Sequence, residues 1–288
     1  MIDYEKTRAW RSPDVRHTYT SRDTILYALG VGIGKDPLDA KQLRFTYEKD
    51  LVALPTMACV LASPGFWMRD RKELGIDFLK LVHGEQSVSV YASIPVAGTL
   101  IGRSKVVRIT DKGQGKGAVM HVEKSLTDEA NGQLIATTEQ VLFLRGDGGF
   151  SLEGGGDEPA PAMPLSPEAP PDFVLDLPTR ADTALLYRLS GDMNPLHVDP
   201  GVATRAGFLR PILHGLATYG IACHALVREF ADYDPTKLKS IRSRLSSPVF
   251  PGETIRLECW LVGNDAIAFN GRVTERGVVV LTHGMAQF

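Results

Sequence analysis

Three cysteines are all that this 288-residue chain holds, and Cys59, Cys223 and Cys259 each stand alone inside an apolar stretch. Their spacing fits neither a metal site nor an even-numbered disulfide framework, which points to a reducing compartment. No apolar run approaches the roughly 20 residues needed to span a bilayer. The opening Met1-Ile2-Asp3-Tyr4-Glu5 lacks the basic and apolar regions of a secretory signal. The closing Ala286-Gln287-Phe288 is not a peroxisomal address of the Ser-Lys-Leu type. The expectation is a cytoplasmic protein with no membrane segment. Charge of one sign is lacking too: 32 Lys and Arg stand against 34 Asp and Glu. With no long basic run, nucleic acid is not expected as a partner.

What is present is a globular composition, 43% hydrophobic and 23% charged, in a chain long enough for two small domains. The stretch 146–172, GDGGFSLEGGGDEPAPAMPLSPEAPPD, is rich in Gly and Pro and has no apolar periodicity. It reads as a linker rather than part of a core, and separates residues 1–145 from 173–288.

The two flanking pieces resemble each other. Thr20-Ser21-Arg22-Asp23 precedes the apolar run from Ile25, and Thr179-Arg180-Ala181-Asp182 precedes Ala184-Leu185-Leu186-Tyr187. Both have the form of a capping box that starts a short helix. Pro95-Val96-Ala97-Gly98-Thr99-Leu100 has its counterpart in Pro248 to Ile255, and alternating segments follow each: Val119 to Glu123 and Val141 to Leu144, then Ile255 to Leu261 and Val278 to Leu281. These predict antiparallel strands, and three matches in one order predict a duplication. In the second half a long apolar helix is expected over Ile212 to Phe230. Its counterpart in the first half begins at Leu54-Pro55-Thr56. The fold class is thus α+β, with a mostly buried helix beside an antiparallel sheet in each half.

The segment from Tyr187 to Pro200, YRLSGDMNPLHVDP, carries the chemistry. A helix from Thr179 cannot run far past Gly191, and Asn194-Pro195 marks a turn. Asp192, Asn194 and His197 therefore share a short irregular loop on which they can converge. Asp199, before Pro200, is placed as the N-cap of a short helix. Asp192, His197 and Asp199 also invite a metal reading, but a third strong ligand with its own spacing is missing, so no metal is expected. Further on, Leu213-His214-Gly215 leads into the long helix. Its first-turn N–H groups have no intrahelical partner, and Gly215 lets an acceptor approach the backbone. Those are donors suited to a carbonyl oxygen that turns negative in a transition state.

The stretch YRLSGDMNPLHVDPGVATRAGFLRPILHGLATYG resembles the signature of the MaoC-like hydratases. It is most similar to the enoyl-CoA hydratase 2 group, which also forms the hydratase part of peroxisomal multifunctional enzymes. In the first half TSRDTILYALGVGIG, LVALPT, Leu81 to Gln86, DKGQGKGA and FLRGDGGF resemble that group as well. Ala217 departs from it, since many relatives have Cys there. The resemblance implies a double hot-dog fold, two repeats each with a long central helix wrapped by an antiparallel sheet. Catalysis falls to the C-terminal repeat, and the substrate is acyl-CoA, with no cofactor and a homodimer as the assembly.

It further implies that Asp192 and His197 grip a water that adds to C3 of a trans-2-enoyl thioester. Asp192 is then the general base, His197 shares in proton transfer, Asn194 orients the water, and the Gly215 N–H binds the thioester oxygen. Tyr187 and Arg188 border such a site, and Arg205, Arg210 and Lys239 are candidates for CoA phosphates. His83 and His214 are read as structural histidines. The alternatives are dehydration of (R)-3-hydroxyacyl thioesters in a synthetic pathway, a non-catalytic acyl-CoA-binding subunit, and a hot-dog thioesterase.

Overall fold

Alternation of apolar and polar residues at period two, bounded by Gly and Pro turns, builds ten strands among the described residues. They are β1 (Val15–Tyr19), β2 (Leu81–Val90), β3 (Gly98–Asp111), β4 (Ala118–Asp128) and β5 (Leu134–Leu144), then β6 (Phe173–Pro178), β7 (Ser240–Leu245), β8 (Thr254–Leu261), β9 (Ala266–Val273) and β10 (Val278–Gln287). The protein is described here by a computed structural model covering residues 2–288. The strands form one antiparallel sheet in the order β1-β3-β4-β5-β2-β7-β10-β9-β8-β6. Each half contributes five neighbours, and the order of the second five mirrors that of the first. The halves join where β2 pairs with β7, from Glu85 opposite Arg244 to Ser89 opposite Ser240.

Among the described residues seven α-helices accompany the sheet: α1 (Tyr4–Arg8), α2 (Ser21–Gly30), α3 (Ala40–Thr46), α4 (Trp67–Asp70), α5 (Thr183–Tyr187), α6 (Pro200–Arg205) and α7 (Gly215–Ala231). None among the described residues is long and apolar enough to cross a membrane. From Ala217 through Val227 every residue of α7 is buried, so this helix is enclosed on all sides, as a mostly apolar core helix is. Its Gly220 allows contact with the first half, because a Cβ there would lie 2.6 Å from Val31 Cγ1 and 3.0 Å from the Tyr27 hydroxyl. One continuous apolar core results, running from Tyr27, Val31 and Leu54 through Tyr187 and Tyr219 to Phe269 and Leu281.

Three expectations need correction. The first half has no long central helix: only a 3-10 turn, Pro55–Cys59, stands there. Proline at its first position starts the turn. The chain then bends at Ala62, whose φ is +46°, and Ser63-Pro64-Gly65 prevents helix from resuming. The turn's carbonyls are also taken, since the buried Lys124 ammonium donates to the oxygens of Ala58 (2.9 Å), Cys59 (3.1 Å) and Leu61 (2.6 Å). Burial lowers the Lys124 pKa to about 8. Gly102 in β3 completes the lock, because a Cβ there would sit 2.3 Å from the Ala62 oxygen.

The second correction concerns the capping boxes. Thr20 and Asp23 form one, but Thr179 does not: its hydroxyl donates to the Glu253 carbonyl at 2.7 Å, and Asp182 pairs with Arg180 instead. A tertiary acceptor outcompetes the local one. Third, the 146–172 stretch forms no strand until β6, yet it is not free of the core. Phe150 is buried in a satellite cluster with Ile2, Trp10 and Trp67, and the Trp260 indole donates to the Ala169 carbonyl at 2.7 Å.

Candidate functional site

The loop between α5 and α6 is held by a chain of Asx turns. Asn194 N–H donates to Asp192 Oδ1 at 3.1 Å, and Leu196 N–H donates to Asn194 Oδ1 at 3.0 Å. Gly191, at φ +127°, supplies the reversal that ends the helical stretch. Asp199 caps α6 through the N–H groups of Gly201 and Val202, as its place before Pro200 predicts. The loop thus presents Asp192, Asn194 and His197 together, with Asp192 and Asn194 half-buried and His197 buried.

His197 is fixed from the far side. Its Nδ1 lies 2.8 Å from the Ile212 carbonyl. A carbonyl can only accept, so Nδ1 carries the proton and Nε2 keeps its lone pair. Burial pushes the pKa of this ring down, which keeps it neutral and ready to accept. Its plane lies against the ring of His214, centroid to centroid 3.6 Å at 27°. His214 Nε2 in turn donates to the Asp192 main-chain carbonyl at 3.1 Å. One nitrogen or oxygen from each of Asp192, His197 and His214 lies within 4.8 Å of the others. The third ligand that the sequence did not offer is therefore present in space. Yet lone pairs lie in the ring planes, and two nearly parallel stacked rings send theirs side by side rather than toward one ion.

His214 is the N-cap residue of α7 without a side-chain cap. No acceptor among the described residues pairs with the N–H groups of Gly215 and Leu216. Gly215 lies flush against β7, since a Cβ there would meet Leu245 Cδ1 at 2.7 Å. An oxygen placed at this helix start would meet free N–H groups and the positive end of the helix dipole.

The other expected residues divide. Tyr187 is buried, its ring 5.0 Å from that of His214. Arg188 is near enough for its charge to depress the His214 pKa. Arg210 lies over the Phe250 ring at 5.0 Å, and Arg205 is exposed on α6. Lys239 is not brought to the site. It donates to the Phe288 carbonyl at 2.8 Å, one residue before β7 begins, about 20 Å by strand rise from Leu245 at the other end.

Two histidines read as structural from the sequence stand close to the loop. His214 is one, and His83 on β2 is the other, near enough to Asp192 to feel its charge. Neither had a local signal, because both reach the loop across the tertiary fold. Two cations outside the expected set also share a cleft. Lys112 and Arg145 line a cleft of about 500 Å³ with Val82, Arg244 and Leu245, under the chain Pro159 to Met163. Their only signal was DKGQGKGA and FLRGDGGF, the motifs in which they stand.

Burial of these imidazoles sets a pH dependence of stability. It pushes His83 and His214 down to about 4 and His224 to about 3, whereas an unfolded histidine titrates near ~6.5. Between those values the unfolded chain binds more protons, so stability is full above about pH 6.5 and falls as the pH drops toward 4. Urea midpoints measured across that interval should decrease steadily with acidification. A flat profile would show that these rings are protonated at no cost in the folded protein.

Comparison with known proteins shows what the chain is similar to. Residues 163–283 match the MaoC like domain, and residues 17–146 match the MFE-2 hydratase 2 N-terminal domain. The chain is 36% identical to a probable enoyl-CoA hydratase 2 of Dictyostelium discoideum, over 99% of this chain and 96% of that one. It is 44% identical to 3-hydroxyacyl-thioester dehydratase Y of Mycobacterium tuberculosis, over 84% and 82% of the two chains. The crystal structure of a MaoC-like dehydratase from Phytophthora capsici superposes with a TM-score of 0.87 at 34% identity, covering 100% and 98%. A Mycobacterium tuberculosis protein described as having a double hotdog fold shares the architecture alone, with a TM-score of 0.56 at 15% identity, over 98% and 96% of the two chains.

Proposed function

The chain belongs to the MaoC-like hydratase 2 family, and from that membership we propose that it hydrates trans-2-enoyl-CoA thioesters to (R)-3-hydroxyacyl-CoA. One observation carries the reading: a carboxylate oxygen of Asp192 and a ring nitrogen of His197 lie within 4.8 Å of each other and of a ring nitrogen of His214, the residue just before the open N–H groups of the α7 start. The thioester withdraws electrons from C2=C3, so C3 takes the oxygen of a water held between Asp192 and His197. As the C3–O bond forms, a proton passes from that water to the pair, and the pair gives up a proton to C2 as the enolate collapses, which returns both groups to their starting state. The Gly215 N–H faces the thioester oxygen while it carries the enolate charge. Asp192 acts as general base, and the neutral His197 positions the water and shares the proton. Asn194, its Oδ1 occupied by Leu196, keeps its amide N–H groups for the water or its partners. No step calls for a metal or cofactor. The reverse dehydration uses the same groups.

The mirrored strand order supports two hot-dog repeats, 1–145 and 173–288, joined by 146–172. The second repeat holds the α7 start and the loop. The first, without a long helix, is the place we assign to the acyl tail. Its inner face is filled by Phe45, Leu54, Met57 and Leu61, all at least 98% buried, so a long tail must displace some of them. The cleft lined by Lys112 and Arg145 is our candidate for the CoA moiety. Neither cation has an acidic partner among the described residues, and Leu245 both lines the cleft and touches Gly215. The test is turnover of a panel of enoyl-CoAs with chiral analysis of the product. The (R)-3-hydroxy thioester should dominate and EDTA should leave the rate unchanged; an (S) product would sink the assignment.

A further inference from the structure

An N-cap side chain usually accepts from the first helical N–H groups. His214 does not: it makes no cap bond, and its Nδ1 is buried without a partner. Leaving a polar atom unsatisfied in the interior is costly, and a phenylalanine of similar shape would avoid that cost. The ordinary structural task of this position therefore does not account for the residue. Its contacts do. The carbonyl of Asp192 fixes the proton on Nε2, and the flat of the ring covers His197. The same short segment supplies the Ile212 carbonyl that fixes the other imidazole.

We propose that His214 is a positioning residue for the hydration chemistry, a single side chain that sets the distance and angle between Asp192 and His197. It holds the first by its main chain and the second by its ring face. The inference rests on the hydratase reading but adds a residue to it. His214 touches no reacting atom. It governs the pair through a hydrogen bond to one member and a stack on the other.

The ring must also be uncharged to do this. A second imidazolium at 3.6 Å would repel the proton that His197 takes up, whereas a neutral ring presents its electron-rich face to it. The groups that face His214 are Asp192 and His197 from the loop, Tyr187 from α5, and Arg188 just after it. Arg188 and His197 work against a charge on the ring, and Asp192 works for one. Burial adds to the first side and decides the balance, so the pKa is pushed down to about 4.

The test compares His214→Phe, which keeps the stack and loses the donor, with His214→Gln, which keeps a donor at similar reach. With crotonyl-CoA, His214→Phe should lower kcat by ~10–10²-fold, the scale set by small displacements of catalytic groups. KM should stay within about threefold, since the proposed role acts on the Asp192–His197 pair and not on substrate binding. His214→Gln should recover part of kcat. A purely structural residue would lower the folded fraction and leave kcat per folded molecule intact, and that result would overturn the proposal.

If the Phe variant does not fold, imidazole ¹⁵N spectra of the wild-type protein decide. His214 should appear as the Nε2–H tautomer and His197 as Nδ1–H, both neutral at pH 7. A His214 protonated on Nδ1 would overturn the proposal without touching the hydratase reading. Conversely, a wild-type protein that turns over no enoyl-CoA would remove the hydratase reading while the tautomers stood as found.

Discussion

Asp192→Asn and His197→Asn each lower kcat by ~10²–10⁴-fold, the range for loss of a positioned acid or base, and leave the fold intact. The first keeps an oxygen that accepts from the Asn194 N–H, so the Asx turn survives and only the charge is lost. The second keeps an amide N–H near the place of Nδ1, within reach of the Ile212 carbonyl, and removes the lone pair at Nε2. Neither change buries a new unpaired charge, so unfolding should shift by no more than about 1 kcal/mol. Because the two groups serve one water, the double variant should be little slower than the slower single one. Steady-state rates with crotonyl-CoA, corrected for folded fraction, decide the matter. A rate within threefold of wild type in either variant removes the assigned mechanism.

How far the site could be read in advance follows the range of the forces involved. The 192–197 loop is local: Gly191 and Pro195 break the helix, and the Asx residues fold the chain back on itself within a few positions. Asp199 before Pro200 is local too, and so is the box of Thr20 and Asp23. Each was legible because the partner lies within three residues. Thr179 has the same composition and fails, because the Glu253 carbonyl, 74 residues away, captures its hydroxyl. The first-half helix fails for a similar reason. Nothing in the apolar run from Met57 to Ala62 announces that a lysine from β4 will bind three of its carbonyls. His83 and His214 are legible only once β2 and α7 have been laid beside the loop. Periodicity and turn chemistry fix the elements, but the polar partners that close them come from the tertiary fold.

That dependence yields the other large effect. Residues 171–288 expressed alone should show no measurable hydratase activity and no cooperative unfolding, although they contain the loop, α7 and the five strands β6 to β10. The cut falls on the β2–β7 pairing, which leaves β7 with a bare edge at the centre of what was a ten-stranded sheet, a template for aggregation. It also opens the core. Tyr187 loses Tyr27, whose ring lies 5.9 Å away, and Gly220 of α7 loses the Val31 contact that its missing side chain permits. Each large side chain uncovered costs about 1.5–3 kcal/mol, against a total stability of only ~5–15 kcal/mol. His83 goes with the first half, and the Asp192 carboxylate loses its neighbour on β2. Adding residues 1–170 as a separate chain should restore activity if the β2 edge can find β7, since the sheet needs the pairing and not the covalent link. A soluble isolated half with wild-type turnover would mean that the shared core is dispensable, and that the first repeat serves only the acyl tail.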